Sequence, residues 1–322
     1  MRKLLFLIFL LSSGLLNAQK STISGYVKEA SSGEGLIGAS VYVKELKTGN
    51  VTNTYGFYSL TLPLGKYTLV FSSSGFKKKE QEVLVSAKAQ EISVELSTDS
   101  QELAEVIVKA RSNDENVKGI EMSVNKVDIK TIRKIPALLG EVDLVRAIQL
   151  LPGVSTVGEG ASGFNVRGGG VDQNLVLLDD APVYNSSHLF GFFSVFNPDA
   201  VKDVKLFKGG IPSMYGGRAS SILDVKMKEG NAKKLEVNGG IGVIFSRLSI
   251  EAPIVKDKAS FIVAARRSYI DILAKPFLTG NNANASFNFY DLTAKVNYTI
   301  NSKNTVFMSG YFGRDVFGTG FG

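Results

Sequence analysis

The amino-acid sequence predicts a multidomain, β-rich protein: an all-β sandwich, then an α+β domain, then the start of an antiparallel transmembrane β-barrel that the chain leaves incomplete. Three observations carry this. Apolar residues alternate at period two from Thr22 to Leu96 between closely spaced turns, helical and strand periods mix from Ile120 to Lys228, and long alternating strands follow from about residue 232. An N-terminal segment with the layout of an export signal sets the compartment in which those last strands must be read.

In that N-terminal segment Arg2 and Lys3 precede the apolar run Leu4 to Leu11, and Ser12-Ser13-Gly14 and Leu15-Leu16-Asn17-Ala18-Gln19 follow. This is the three-part order of a secretory signal peptide spanning residues 1–18, with cleavage expected after Ala18. The run is too short to span a bilayer, and no cysteine follows it to carry a lipid anchor. No later segment has about 18 uninterrupted apolar residues, so insertion after export would have to use strands.

From Thr22 to Leu96, Tyr67, Leu69 and Phe71 alternate with Thr68 and Val70, and Ile92, Val94 and Leu96 with Ser93 and Glu95. Turns are signalled at Ser32-Gly33, Thr48-Gly49-Asn50, Leu62-Pro63-Leu64-Gly65 and Ser74-Gly75. Short strands at such spacing predict a small antiparallel sandwich. A polar linker covers residues 97–119 and holds an apolar island, Leu103-Ala104-Glu105-Val106-Ile107-Val108-Lys109-Ala110. That island is either a lone strand of the next domain or a peptide kept free to add to a partner's sheet edge.

The middle region, residues 120–228, combines a helix with strands. Leu138, Val142, Val145, Ile148 and Leu151 recur at helical spacing up to Pro152-Gly153. Leu175 to Leu178 reads as an inner strand, with further strands around Val204 and Leu206 and around Leu223, Val225 and Met227. Beyond it, Tyr290, Leu292, Ala294, Val296, Tyr298 and Ile300 alternate with Asp291, Thr293, Lys295, Asn297 and Thr299, long enough for a tilted membrane strand with tyrosine near each end. Asn301-Ser302-Lys303-Asn304 makes a turn, and Val306, Met308, Gly310 and Phe312 restart the outward face. Leu235 to Ile250 and Phe261 to Ile270 fit as a first hairpin, with a change of phase near Ile244 that reads as a bulge. Alternation alone allows a soluble sandwich with one wet face; the export signal and the aromatic ends favour the membrane.

Composition narrows the chemistry. The chain has 33 glycines and 20 phenylalanines but no cysteine, no tryptophan and one histidine. Disulfides, cysteine metal sites and histidine-rich zinc centres are excluded, and no nucleophile, acid pair or metal cluster occurs at useful spacing, so no enzyme, cofactor or metal is expected. Without Arg2 and Lys3 the +7 charge becomes 35 − 30 = +5, spread in short runs such as Lys77 to Lys79, which gives no nucleic-acid footprint.

Two resemblances rest on motifs. Gly25-Tyr26-Val27, Gly38-Ala39-Ser40-Val41, Thr54-Tyr55-Gly56-Phe57-Tyr58, Leu64-Gly65-Lys66-Tyr67 and Gly75-Phe76 make residues 22–96 resemble the carboxypeptidase-regulatory-like domain, a non-catalytic module. Leu151-Pro152-Gly153-Val154-Ser155, Phe164-Asn165-Val166-Arg167-Gly168-Gly169, Leu175 to Tyr184, Val204 to Gly210, Tyr215-Gly216-Gly217-Arg218 and Leu223-Asp224-Val225 make residues 120–228 resemble the plug domain of TonB-dependent outer-membrane receptors.

The second resemblance implies active transport of a nutrient, such as a glycan, peptide or metal chelate, with the first strands of the barrel at residues 232–322. The alternative is a secreted, non-transporting β-rich binding module. By resemblance Leu103, Ala104, Glu105, Val106, Ile107 and Val108 form the TonB box, which would engage a TonB-type transducer of the inner membrane. Arg167 and Arg218 match motif arginines expected to pair with barrel glutamates, the alternative being solvated surface residues, while Gly168, Gly169, Asp179, Gly209, Gly216 and Gly217 belong to the plug motif. The candidate ligand-facing stretches are Ser155 to Gly163 and Tyr184 to Asn197, the second holding Tyr184, His188, Phe190, Phe192, Phe193 and Phe196. Packing of those rings against the barrel wall is the competing expectation, and His188 is expected to be a hydrogen-bonding loop residue, lacking nearby carboxylates.

Ala110 to Lys118 lacks the tyrosine-glycine-threonine-rich signature of the starch-uptake subgroup, which counts against a surface lipoprotein partner. No signalling domain is expected between Gln19 and Thr22. Only 322 − 228 = 94 residues follow Lys228, room for about four strands, whereas a lumen that holds a plug needs ~22; the expectation is a fragment or a truncated reading frame, set among outer-membrane lipid.

Overall fold

The computed structural model describes residues 20–99, 124–132, 142–158, 161–277 and 286–318. The expected signal peptide and Leu103 to Val108 lie outside them. The described residues fall into two compact units, 20–99 and 124–318, each with its own core.

The first unit is built from β1 (Lys20–Glu29), β2 (Ser40–Val43), β3 (Thr48–Val51), β4 (Phe57–Pro63), β5 (Gly65–Ser72), β6 (Lys79–Val85), β7 (Gln90–Glu91) and β8 (Val94–Leu96). One sheet has β1 paired with β4, β7 and β8, and the other runs β3-β2-β5-β6. Period-two alternation works as expected: Tyr67, Leu69 and Phe71 of β5 point inward and, with Ile23, Val27, Tyr58 and Leu96, fill the core. The sandwich is mixed, however, and not purely antiparallel. After β6 the chain crosses over, so that β7 and β8 lie parallel to β1. Burial raises the pKa of the Tyr58 phenol, whose hydroxyl donates to the Ile92 carbonyl at 2.8 Å.

The second unit opens with β9 (Val124–Asp128), α1 (Ile129–Ile132), α2 (Leu144–Gln149), β10 (Val154–Thr156), β11 (Phe164–Val166), β12 (Asn174–Leu178), β13 (Ala181–Pro182), β14 (Ser187–His188), β15 (Phe193–Ser194), β16 (Val201–Phe207) and β17 (Ser221–Met227). Its sheet runs β13-β12-β17-β16-β9, with β12 and β17 parallel. Of the helix expected around Leu138 to Leu151, α2 is the part described. Asp143 caps it by accepting from the Val145 and Arg146 amides at 2.8 and 3.2 Å, a contribution of about 1 kcal/mol. Its other carboxylate oxygen accepts from the Ser194 amide at 2.8 Å, tying the helix start to β15.

Five long strands complete this unit: β18 (Glu236–Ile241), β19 (Phe245–Val255), β20 (Ala259–Ser268), β21 (Ser286–Asn301) and β22 (Asn304–Gly318), with α3 (Ile270–Ala274) after β20. They form an open antiparallel sheet in chain order. The segment expected as one strand from Leu235 to Ile250 is a hairpin of β18 and β19, so the sheet has five strands where about four were expected. The change of phase near Ile244 is the turn itself, stapled by the Tyr269 hydroxyl, which donates to the carbonyls of Gly242 and Phe245.

Along β21 the alternation divides as expected, and one face is polar. Asp291, Thr293, Lys295 and Asn297 are buried, whereas Leu292, Val296, Tyr298 and Ile300 are exposed. A strand of a water-soluble sandwich would bury the apolar set. Here the middle domain sits on the polar face, and its core extends onto the sheet through Ile262 and Ala264 of β20. Among the described residues no helix is long and apolar enough to cross a membrane.

Candidate functional site

The polar inner face of the five strands meets the middle domain along a seam of buried charge. Near the turn end, Lys295 of β21 reaches Asp179, in the bend after β12, at 2.9 Å, and Asp179 also accepts from the Met227 amide at 2.9 Å. Both side chains are almost fully buried, and the Lys295 ammonium lies over the Phe307 ring, 4.6 Å from its centroid. Further along, Arg247 of β19 pairs with Asp199 at 3.1 Å, and Lys228 pairs with Glu251 of β19 at 2.9 Å. The backbone joins the seam as well: the Glu229 carbonyl accepts from Asn297 at 2.6 Å and from Ser260 at 2.8 Å. Gly230 makes that approach feasible. With φ of 82°, it passes so close that a Cβ would stand 2.3 Å from the Phe261 carbonyl oxygen.

At the opposite end of the strands lies the densest cluster. Arg266 of β20 grips Asp291 of β21 through Nε at 3.0 Å and Nη2 at 2.6 Å, and Nη2 also donates to the Ser194 carbonyl at 2.7 Å. His188 is 4% exposed and wedged beside this pair. Its Nδ1 is 2.8 Å from Asp315, its Nε2 is 2.9 Å from the Tyr311 hydroxyl and 3.3 Å from Asp291, and its ring stacks on Phe289 at 4.4 Å. The expectation of a loop histidine without nearby carboxylates is therefore corrected. Both carboxylates come from strands more than a hundred residues away, a juxtaposition that no local pattern reveals. Among the described residues no group of three or more histidine, aspartate or glutamate side chains is placed to hold a metal ion.

The aromatic stretch splits in two. Tyr184, Phe190 and Phe192 are exposed, Tyr184 to 89%, whereas Phe193 and Phe196 are buried. Phe193 packs edge-on to Phe245 at 4.7 Å, and Phe196 belongs to the core of the middle domain. His188 and Phe193 thus meet rings of the strands, and among the described residues Phe196 does not. Leu189 and Phe190 take consecutive left-handed conformations, φ 48° and 59°, a strained tip of the kind that collects at functional loops. The second candidate stretch touches the first, because the Ser162 amide donates to the Gly191 carbonyl.

Among the motif residues, one glycine of each pair is left-handed: Gly168, Gly210 and Gly217. Gly169 passes Ser220, while Gly209 and Gly216 sit in the same turns. Tyr215 of that motif donates to Asp224 of β17 at 3.1 Å. Burial pushes the Asp224 carboxyl above its ordinary value, against the opposing pull of Lys226; burial lowers Lys226, but its pairs with Asp180 and Asp224 carry it upward overall. Arg167 and Arg218 are exposed, and Arg218 donates to the Gly217 carbonyl at 3.0 Å. The ion pairs between the middle domain and the strands run both ways: Asp179 and Asp199 meet Lys295 and Arg247 of the strands, while Lys228 meets Glu251 of β19. Sequence reasoning missed Lys295, Arg247, Arg266, Asp291 and Asp315 as site residues. Their signal was charge on the inward half of an alternating strand.

A small domain fastened by buried charge to the inner face of a sheet whose outer face is apolar defines a plug in a membrane β-barrel. Comparison with known proteins agrees. Residues 116–221 match the TonB-dependent Receptor Plug Domain and residues 23–108 the CarboxypepD_reg-like domain. The TonB-dependent receptor SusC of Bacteroides thetaiotaomicron is 27% identical over 242 residues, which cover 70% of this chain and 23% of that protein. The TonB-dependent receptor P3 of Formosa agariphila is 25% identical over 281 residues, 84% of this chain and 27% of that protein. Among solved structures, the siderophore receptor PirA from Acinetobacter baumannii aligns at TM-score 0.45 and 15% identity, over 65% of this chain and 34% of that one. The chain therefore carries a TonB-dependent receptor plug domain behind a CarboxypepD_reg-like domain, and it spans about a quarter of the length of the curated relatives it matches.

Proposed function

We propose that the receptor carrying this chain imports a nutrient, of glycan, peptide or metal-chelate class, across the outer membrane, and that this chain supplies its plug and its coupling segment. The observation that carries the reading is β21, whose buried polar face holds the plug while its apolar face is left outward. Short turns at 256–258 and 302–303 lie at one end of the strands, and the 242–244 turn and the longer stretch between β20 and β21 lie at the other, the end we assign to the outside. Phe190 lies at that outer end, where it packs against Phe317 at 5.3 Å, and with the exposed Tyr184 and Phe192 it makes up the rings we assign to ligand contact. The pairing of Arg167 and Arg218 with barrel carboxylates remains part of this proposal, and no catalytic step is assigned.

Coupling would run through Leu103 to Val108, which would add as a strand to an inner-membrane TonB-type transducer. Proline at Val106 or Ile107 removes one backbone donor. Either variant should abolish energised uptake while receptor abundance and ligand binding at the cell surface stay at wild-type levels. Wild-type uptake in both variants overturns the coupling role, and reduced abundance assigns the segment to the plug fold instead.

A further inference from the structure

The outward face of the five strands carries one charged row. Strand register aligns Ser246, Arg267, Tyr290 and Arg314 side by side across β19, β20, β21 and β22. The next row toward the turn end is Leu248, Ala265, Leu292 and Phe312, and the one after it Ile250, Val263, Ala294 and Gly310. Everything below the arginines is thus apolar or small, down to Tyr298. Eight residues separate Tyr290 from Tyr298, about 27 Å along the strand, or about 21 Å of height at the usual tilt. That is close to the apolar band of a barrel of this type, so Arg267 and Arg314 stand at its outer rim.

The two arginines differ from their neighbour. Arg266 turns inward to Asp291, whereas Arg267 and Arg314 are exposed, and neither has an ion-pair or hydrogen-bond partner among the described residues. One intervening strand puts their Cα atoms ~10 Å apart, a span that two long guanidinium side chains can close on a single phosphate. A hollow of about 750 Å³ opens at this row and the one below it, bordered by Arg267, Asn288, Tyr290, Leu248, Leu292 and Phe312, apolar enough for an acyl chain. β20 is interior to the sheet, so the face around Arg267 belongs to the surface turned to lipid.

We propose that Arg267 and Arg314, flanking Tyr290, clamp the phosphate of an outer-leaflet lipid headgroup whose acyl chain lies in the hollow below. This rests on the reading that the five strands span the outer membrane. The test uses the complete receptor, purified in detergent and titrated with lipid A, a bisphosphorylated glycolipid, with bound lipid counted by native mass spectrometry. The double variant Arg267→Gln/Arg314→Gln should bind lipid A at least about tenfold more weakly, since each guanidinium supplies charge-assisted bonds to the phosphate. Inorganic phosphate at equal concentration should not compete, because it lacks the chains that fill the hollow. Equal lipid binding by the double variant, with both proteins migrating as heat-modifiable barrels, overturns the clamp alone. Competition by inorganic phosphate overturns the lipid as its ligand. Absence of a heat-modifiable barrel in the wild type overturns the membrane reading and the clamp together.

Discussion

Asp179 and Lys295 illustrate what a buried pair does at the scale of one residue. Desolvation makes such a pair a weak source of net stability, but removing one partner strands the other charge, at a cost of about 3–5 kcal/mol. Lys295→Met should therefore destabilise the seated plug by that order, and adding Asp179→Asn should recover most of the loss; a double-mutant cycle on receptor unfolding measures both. If the single and double variants are equally unstable, the pair is not what matters at this position. Gly313 sets a steric limit close to His188: a Cβ there would stand 2.2 Å from the Tyr311 hydroxyl and 3.0 Å from the His188 ring. Gly313→Val should cost about 1–3 kcal/mol by overpacking, seen as a lower unfolding midpoint. Asp224 is a titrating case. Its raised pKa favours the neutral acid in the fold, so its contribution is complete below the ordinary carboxylate value and is lost as pH rises through the raised one. Asp224→Asn stays neutral throughout, and its stability relative to wild type should rise as pH increases through that window. A pH-independent difference would show that the carboxyl does not titrate in the fold.

At the scale of elements, each strand of the long sheet is a two-sided object. Its inner half selects the plug by charge, while its outer half, below the arginine row, selects lipid by the absence of charge. The two tolerances are therefore opposite on adjacent residues. Val263→Arg, on the outer face in mid-band, should impair folding into bilayers by about 2–4 kcal/mol, whereas Ser246→Arg, in the rim row, should cost no more than about 1 kcal/mol. Folding titrations of the receptor in lipid vesicles give both numbers, and equal costs would contradict the assigned depth.

The whole molecule divides into two units with separate cores, and the division has an experimental consequence. Residues 20–99 bury Tyr58, Phe71, Ile23 and Leu96 within their own two sheets and should unfold cooperatively when expressed alone. In the second unit the core of the plug includes Ile262 and Ala264 of the long strands, so plug and sheet share one hydrophobic interior. Truncation before β18 should therefore leave a plug with exposed apolar surface and reduced cooperativity, measurable by dye binding and by urea titration. The five-stranded sheet itself remains open at β18 and β22.

Periodicity decides secondary structure because a side chain's face follows from its place in the repeat. For that reason the sandwich strands, the two faces of β21, the Pro152-Gly153 stop and the plug motifs were legible from residue order alone. The β18–β19 turn was misread as a bulge, since a glycine-rich phase shift is the same signal for both. Pairing across space was a different matter. That Asp291 and Asp315 would flank His188, that Asp179 would meet Lys295, and that of six candidate residues only Tyr184, Phe190 and Phe192 would stay exposed depend on which strand lies beside which loop. Charge partners more than a hundred positions apart are chosen by register and sheet order, which no local pattern encodes. The sequence by itself determined which faces are polar; the tertiary structure alone decided which charges meet, because a buried ion accepts whichever partner the packing brings within about 4 Å.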